Sequence, residues 1–117
     1  MEGSQLVKRG FRLTRTSEIK TVRRTGKTTP HPFFLLATQP NEQKGLRIAV
    51  IAGRSIGRAV QRNRAKRVLR AAIQPLTGLI KPDLDIILIA KPAIRPAKSA
   101  EVQQAIHGLL KKSNLLR

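Results

Sequence analysis

Apolar residues recur along this chain in two rhythms. The first is unbroken: Phe33-Phe34-Leu35-Leu36-Ala37, Ile48-Ala49-Val50-Ile51 and Ile86-Ile87-Leu88-Ile89-Ala90. Runs of that length, bounded by turn residues, predict strands buried on both faces. The second is helical. Ala65, Val68, Leu69, Ala72 and Ile73 fall at i, i+3, i+4, i+7 and i+8, as do Val102, Ala105, Ile106, Leu109 and Leu110. The spacing predicts an amphipathic helix over about 58–74, stopped by Pro75, and a last helix capped by Ser99. Glu101 in the first turn of that last helix and Lys111 and Lys112 in its final turn suit its dipole. A shorter helix starts at a Ser17 cap, with Glu18 near its positive end and Ile19 and Val22 facing inward. Gly26 is expected to end it by adopting the left-handed conformation.

Turn residues separate these elements: Pro40 to Gly45, Gly78 with Pro82, and Pro92 with Pro96. The loop from Pro40 to Gly45 predicts that the strands on either side of it pair antiparallel. The order is helix, strands, helix, strand, helix, with no repeat and no linker. It predicts one domain over residues 1–117, an α/β (α+β) two-layer sandwich with a central basic helix on a small mixed sheet. The chain length of 117 residues allows one modest core, and with three Phe, no Tyr and no Trp that core is aliphatic.

Charge changes the picture from fold to partner. There are 24 Lys+Arg against 6 Asp+Glu, a formal charge of +18. Such a chain repels itself, and an anionic partner, most often nucleic acid, relieves the repulsion. The chain has no cysteine, which excludes disulfides and thiolate metal sites and permits a cytoplasmic address. No apolar run is long enough to span a bilayer, and the first residues show no secretory h-region.

The cations are concentrated. Arg54, Arg58, Arg62, Arg64, Lys66, Arg67 and Arg70 lie within or just before the central helix, and no acid occurs between Gln43 and Pro82. At 100° per residue Asn63, Lys66, Arg67 and Arg70 fall opposite the apolar arc, with Arg62 and Arg64 on its borders. Ordinary solvated faces mix signs at i,i+4, and this one does not. Guanidinium forks suit bidentate phosphate contact and stacking on bases, and Asn63 can donate and accept in the same network. The turn Gly53-Arg54-Ser55-Ile56-Gly57 ahead of the helix has two readings. It can hold a phosphate through its N–H groups, or it can be a plain strand-to-helix joint. It is not a P-loop, lacking Gly-Lys-Ser/Thr at the required spacing. Lys8, Arg9, Arg12, Arg15, Lys20, Arg23 and Arg24 form either an RNA-contacting arm or a solvated contribution to the general field.

Catalytic groups are sparse. The acids are Glu2, Glu18, Glu42, Asp83, Asp85 and Glu101. Asp83 and Asp85 share a strand face and could hold a metal, but their place at a turn entering a strand favours a structural role. His31 and His107 have no neighbours that complete a triad or metal set, so both read as structural or solvated. A stand-alone nuclease lacks the acids it needs. A DNA-binding module lacks a helix-turn-helix pair.

The segment Gly57-Arg58-Ala59-Val60-Gln61-Arg62-Asn63-Arg64-Ala65-Lys66-Arg67-Val68-Leu69-Arg70 resembles the signature of the bacterial ribonuclease P protein subunit: Arg-Asn-Arg, then Lys-Arg, then Arg. Arg12-Leu13, Ser17-Glu18 and Gly26-Lys27 resemble that family's first helix region. Phe33-Phe34-Leu35, Leu46-Arg47-Ile48 and the run from Asp85 to Ala90 resemble its strands, and Leu109-Leu110-Lys111-Lys112 its last helix. The resemblance spans roughly residues 8–116. It implies a left-handed βαβ crossover, against the usual right-handed rule. It implies a monomeric protein, one per RNA, bound to a catalytic RNA subunit that holds Mg²⁺ and cleaves precursor tRNA at the mature 5′ end. The family's RNA-facing positions carry over as Arg62, Asn63, Arg64, Lys66, Arg67 and Arg70, and Arg54 and Arg58 extend them. A leader-binding cleft would be sought at Arg12, Ile19, Arg23, Phe33, Phe34 and Leu36. Ile19, Arg23 and Leu36 stand where the family's aromatics would be sought, so leader contact here leans on charge and apolar packing. The alternative reading is a ribosomal-protein-like structural RNA binder with no role in tRNA processing.

Overall fold

The computed structural model describes residues 16–42 and 45–117. Three helices and four strands follow one another as α1 (Thr16–Thr25), β1 (Lys27–Pro30), β2 (Phe34–Pro40), β3 (Arg47–Ile51), α2 (Ala59–Ile73), β4 (Leu84–Ala90) and α3 (Ser99–Lys112). The strands form one mixed sheet in the order β1-β2-β4-β3.

The expected antiparallel pairing of β2 with β3 does not occur. β4 lies between them, antiparallel to β2 with Leu36 opposite Leu88, and parallel to β3 with Ile48 opposite Ile86. The reason lies in two places. β4 is apolar on both faces and buried nearly throughout, the pattern of a central strand. The loop after β2 is also clasped across the start of β4: Asn41 N–H donates to Asp83 O at 2.9 Å, and Gly45 N–H donates to Asp83 Oδ1 at 3.0 Å. Loop length alone had favoured a hairpin, but here the loop steps over an intervening strand. β1 went unpredicted because Lys27-Thr28-Thr29-Pro30 carries no apolar rhythm. It is an edge strand, where proline is tolerated, and pairs only with β2.

Strand alternation divides the sheet into two faces. Phe34 and Leu36 of β2, Ile48 of β3, and Ile86 and Leu88 of β4 face α2 and α3. There they pack with Ala65, Leu69, Ala72, Ile73, Val102, Ile106 and Leu110 in the main core. This is the predicted helix-on-sheet sandwich. On the reverse face Ala37, Ala49 and Ile87 meet Val22 of α1, with Ile19, Ile51 and Ile89 at the margin. α1 is thus a partial third layer.

Three expected helix ends are built differently. α1 begins one residue before Ser17. Gly26 is not left-handed. It is required because a Cβ there would lie 2.5 Å from Val22 O and 2.7 Å from Thr38 O, so only glycine lets the helix end meet β2. Ser99 is the first residue of α3 and not its cap; the Lys98 N–H ahead of it is accepted by Glu101 Oε1 at 3.1 Å.

Candidate nucleic-acid interface

α2 is the parallel crossover between β3 and β4, so its apolar stripe must lie on the sheet. Ala65, Leu69, Ala72 and Ile73 are buried and Val68 is half-buried. What remains outward is cationic. Arg58, Asn63 and Arg67 are exposed, and Arg62, Lys66 and Arg70 are half-buried, as expected where long aliphatic stems lie along a helix surface. Val60 stands out of the first turn, 77% exposed.

The joint ahead of α2 satisfies three of its own backbone donors. Ile56 is fully buried and anchors the turn, leaving Arg54 and Ser55 outside. Ile56 N–H donates to Gly53 O and Gly57 N–H to Arg54 O, each at 3.1 Å, and Arg58 N–H donates to Gln61 Oε1 at 2.8 Å. Those three amides already have acceptors inside the chain. For these amides the turn is a strand-to-helix joint, and Arg54 and Arg58 stand exposed on either side of it.

Arg64 is held by backbone carbonyls of the turn that precedes α3. Its Nη1 donates to Arg95 O at 2.6 Å and its Nη2 to Ala97 O at 3.3 Å. The guanidinium ties α2 to the turn that precedes α3. Spacing placed Arg64 on the border of the apolar arc, but nothing in the sequence told which carbonyls it would meet.

Carboxylates engage other partners. Arg47 Nε donates to Asp85 Oδ1 at 2.8 Å, and its Nη2 and Nη1 donate to Asp85 Oδ2 and Glu18 Oε2, each at 2.9 Å. The Asp85 hydrogen bonds raise the Arg47 guanidinium above its ordinary pKa; burial opposes this and Glu18 adds to it. Asp83 holds Gly45 from a left-handed turn position, φ 62°. Asp83 and Asp85 are therefore structural. Among the described residues there is no group of three or more His, Cys, Asp or Glu placed to hold a metal, and no helix long and apolar enough to cross a membrane.

The leader-binding candidates scatter. Phe34 and Leu36 are 0% and 1% exposed in the main core, so neither can touch a leader. They share a sheet face with α2 and α3 because β2 alternates. Phe33 is half-buried beside His31, the ring centroids 5.1 Å apart. His31 stacks on Phe34 at 5.0 Å and 16°, and its Nδ1 accepts the Phe33 N–H at 3.0 Å. Burial first, and Lys91 second, lower its pKa, which suits a neutral structural imidazole. Ile19 sits half-buried under α1 and Arg23 is exposed on it, together with Lys20 and Arg24. Arg12, with Lys8, Arg9 and Arg15, lies outside the described residues. Sequence reasoning missed Leu35, Ile51 and Ile89, half-buried on the same reverse face as Ile19. The signal was available: if Phe34 and Leu36 point to one side, Leu35 must point to the other.

Residues 7–114 match the family model described as Ribonuclease P. A "Ribonuclease P protein component" of Herpetosiphon aurantiacus is 33% identical over 109 residues, covering 93% of this chain and 89% of the relative. One from Dehalococcoides mccartyi is 36% identical over 110 residues, covering 94% and 90%. The fold is shared with the Staphylococcus aureus RNase P protein, with a TM-score of 0.78 at 21% identity, covering 92% of this chain and 98% of that one. The family model and these relatives span nearly the whole chain, the fold is shared, and the chain belongs to the ribonuclease P protein family.

Proposed function

We propose that α2 docks this chain onto the catalytic RNA subunit of ribonuclease P, and that the assembled enzyme removes the 5′ leader of precursor tRNA. Family membership makes the chain the protein component of that enzyme, in tRNA processing. The observation that carries the docking surface is the outward face of α2, where Arg58, Asn63 and Arg67 are exposed and Arg62, Lys66 and Arg70 flank them. Arg54 joins them from the preceding turn. Cations on one rigid helix contact phosphates without reordering, and each contact releases counterions.

In this proposal the RNA, with its Mg²⁺ ions, supplies the hydrolysis of the phosphodiester. Glu18 and Asp85 hold Arg47, Asp83 holds Gly45 and Glu101 holds the start of α3, which supports giving the chemistry to the RNA. The chain acts as a monomer, one per RNA, in the cytoplasm. The leader passes over the reverse face between α1 and the sheet. Arg23 and the apolar edge of Ile19, Leu35, Ile51 and Ile89 meet it there, with Phe33 outside that contact.

The test is cleavage of precursor tRNA by bacterial ribonuclease P RNA at low Mg²⁺, with and without the protein. Stimulation supports the proposal. Unchanged cleavage, with tight binding to ribosomal RNA instead, would make the chain a structural RNA binder.

A further inference from the structure

We infer that the RNA footprint does not stop at α2 but crosses the interhelical groove onto the turn at residues 95–99, and that Arg64 is the strut that holds this turn in place. The inference rests on the proposed docking of α2 on the RNA subunit and extends it to cations that lie some thirty residues further along the chain.

Gln61 and Arg64 of α2 face Arg95 and Pro96 at one end of the groove; Arg64, Arg67, Val68 and Ala71 face Lys98 and Ser99 at the other. Arg64 spans the middle, its two Nη groups on the carbonyls of Arg95 and Ala97. Both acceptors are neutral, so these bonds fix the guanidinium without cancelling its charge. The groove therefore gathers Arg64, Arg67, Arg95 and Lys98. The acid nearest in sequence, Glu101, turns back to accept the Lys98 N–H.

The far wall is rigid. Ile94 and Ala97 are 0% and 4% exposed in the main core. Arg95 N–H donates to Pro92 O at 3.1 Å and Ala97 N–H to Ile94 O at 2.9 Å. Buried Ile94 and Ala97 thus flank exposed Arg95 and precede exposed Lys98, which line the groove opposite Arg64 and Arg67. Four like charges in one groove repel each other, and an anion laid along it removes that cost. Among the described residues no aromatic side chain lines the groove, so it suits the phosphodiester backbone and not the base faces. The occupant is a backbone segment of the RNA subunit, continuous with the one on α2.

The test measures affinity for ribonuclease P RNA against monovalent salt, using the full chain. Arg95 and Lys98 are exposed, so the double variant R95A/K98A should melt with the parent. Its log–log salt slope should fall by about 1.8, at roughly 0.9 per phosphate contact on duplex. Arg64→Ala should lower the slope by more than the one charge removed, because Arg95 and Lys98 lose their support. Adding it to R95A/K98A should then cost less than it does alone. Arg67→Ala serves as the control for the α2 reading. If Arg67→Ala flattens the slope and R95A/K98A keeps the parental one, the extension is wrong and α2 docking stands. If both keep the parental slope, both fall. A double variant that binds the RNA subunit normally but weakens precursor tRNA binding by the holoenzyme would also overturn the inference.

Discussion

Arg47 and Asp85 are register partners across the parallel β3–β4 ladder, and they meet through two hydrogen bonds of 2.8 and 2.9 Å. Glu18 of α1 closes on the same guanidinium, so one arginine fastens two strands and a helix. Their side chains are 17% and 8% exposed. Removing one member of a buried pair strands the other, at a cost of about 3–5 kcal/mol. Asp85→Ala leaves Arg47 its Glu18 partner, so it should lower unfolding free energy by about 3 kcal/mol, the low end of that range, in urea titration. Glu18→Gln, at the wetter end, should cost about 1 kcal/mol or less. It should still speed amide exchange in α1, because the helix loses its tether to the sheet. Equal exchange in α1 for variant and parent would show that the Glu18–Arg47 contact does not hold α1 on the sheet.

Leu35 and Leu36 are neighbours in sequence and lie on opposite faces. Leu36→Ala opens a cavity in the main core and should cost about 2–5 kcal/mol, with leader affinity lost only as far as folding is lost. Leu35→Ala should cost clearly less, yet weaken holoenzyme affinity for precursor tRNA carrying a leader relative to one without. Equal effects on both substrates would remove Leu35 from the leader path.

That pair also shows what was legible. The run 33–37 declared a strand, but an unbroken apolar run does not say which residue faces which layer. Alternation put Leu35 opposite Phe34 and Leu36, and which face was the main core became readable only from α2 and α3 packing on the Phe34 side. α2 was the opposite case. Its 3.6-residue period fixed both the buried stripe and the cationic face, and Ala65, Leu69, Ala72 and Ile73 are buried as the spacing required. Arg64 shows the limit of that reading: an angle on a helical projection cannot name partners 31 and 33 residues away.

His31 predicts a pH dependence. Its folded pKa lies below 6.5, lowered by burial and then by Lys91. Between the folded and unfolded values the unfolded chain binds more protons, so stability rises with pH there. The contribution is complete above the unfolded value near 6.5 and is lost as pH falls through the folded one. Melting temperatures across this window should decline on acidification in the parent and decline less in His31→Asn, where an amide oxygen can still accept the Phe33 N–H. Identical pH profiles would separate His31 from the effect.

Gly57 and Gln61 form a lock at the start of α2. Gly57 has φ 129°, and a Cβ there would collide with the Gln61 side chain whose Oε1 holds the Arg58 N–H. Gly57→Ala must therefore break the cap, strain the backbone, or both, at about 1–3 kcal/mol. Gln61→Ala loses the cap alone, at about 1 kcal/mol. In the double variant the collision is gone but the positive φ remains, so it should be less destabilised than the two single losses added together. Because Arg54 and Arg58 are aimed by this joint, Gly57→Ala should also weaken binding to the RNA subunit at temperatures where the protein is still folded. Strict additivity in thermal melts would mean that the two side chains never meet.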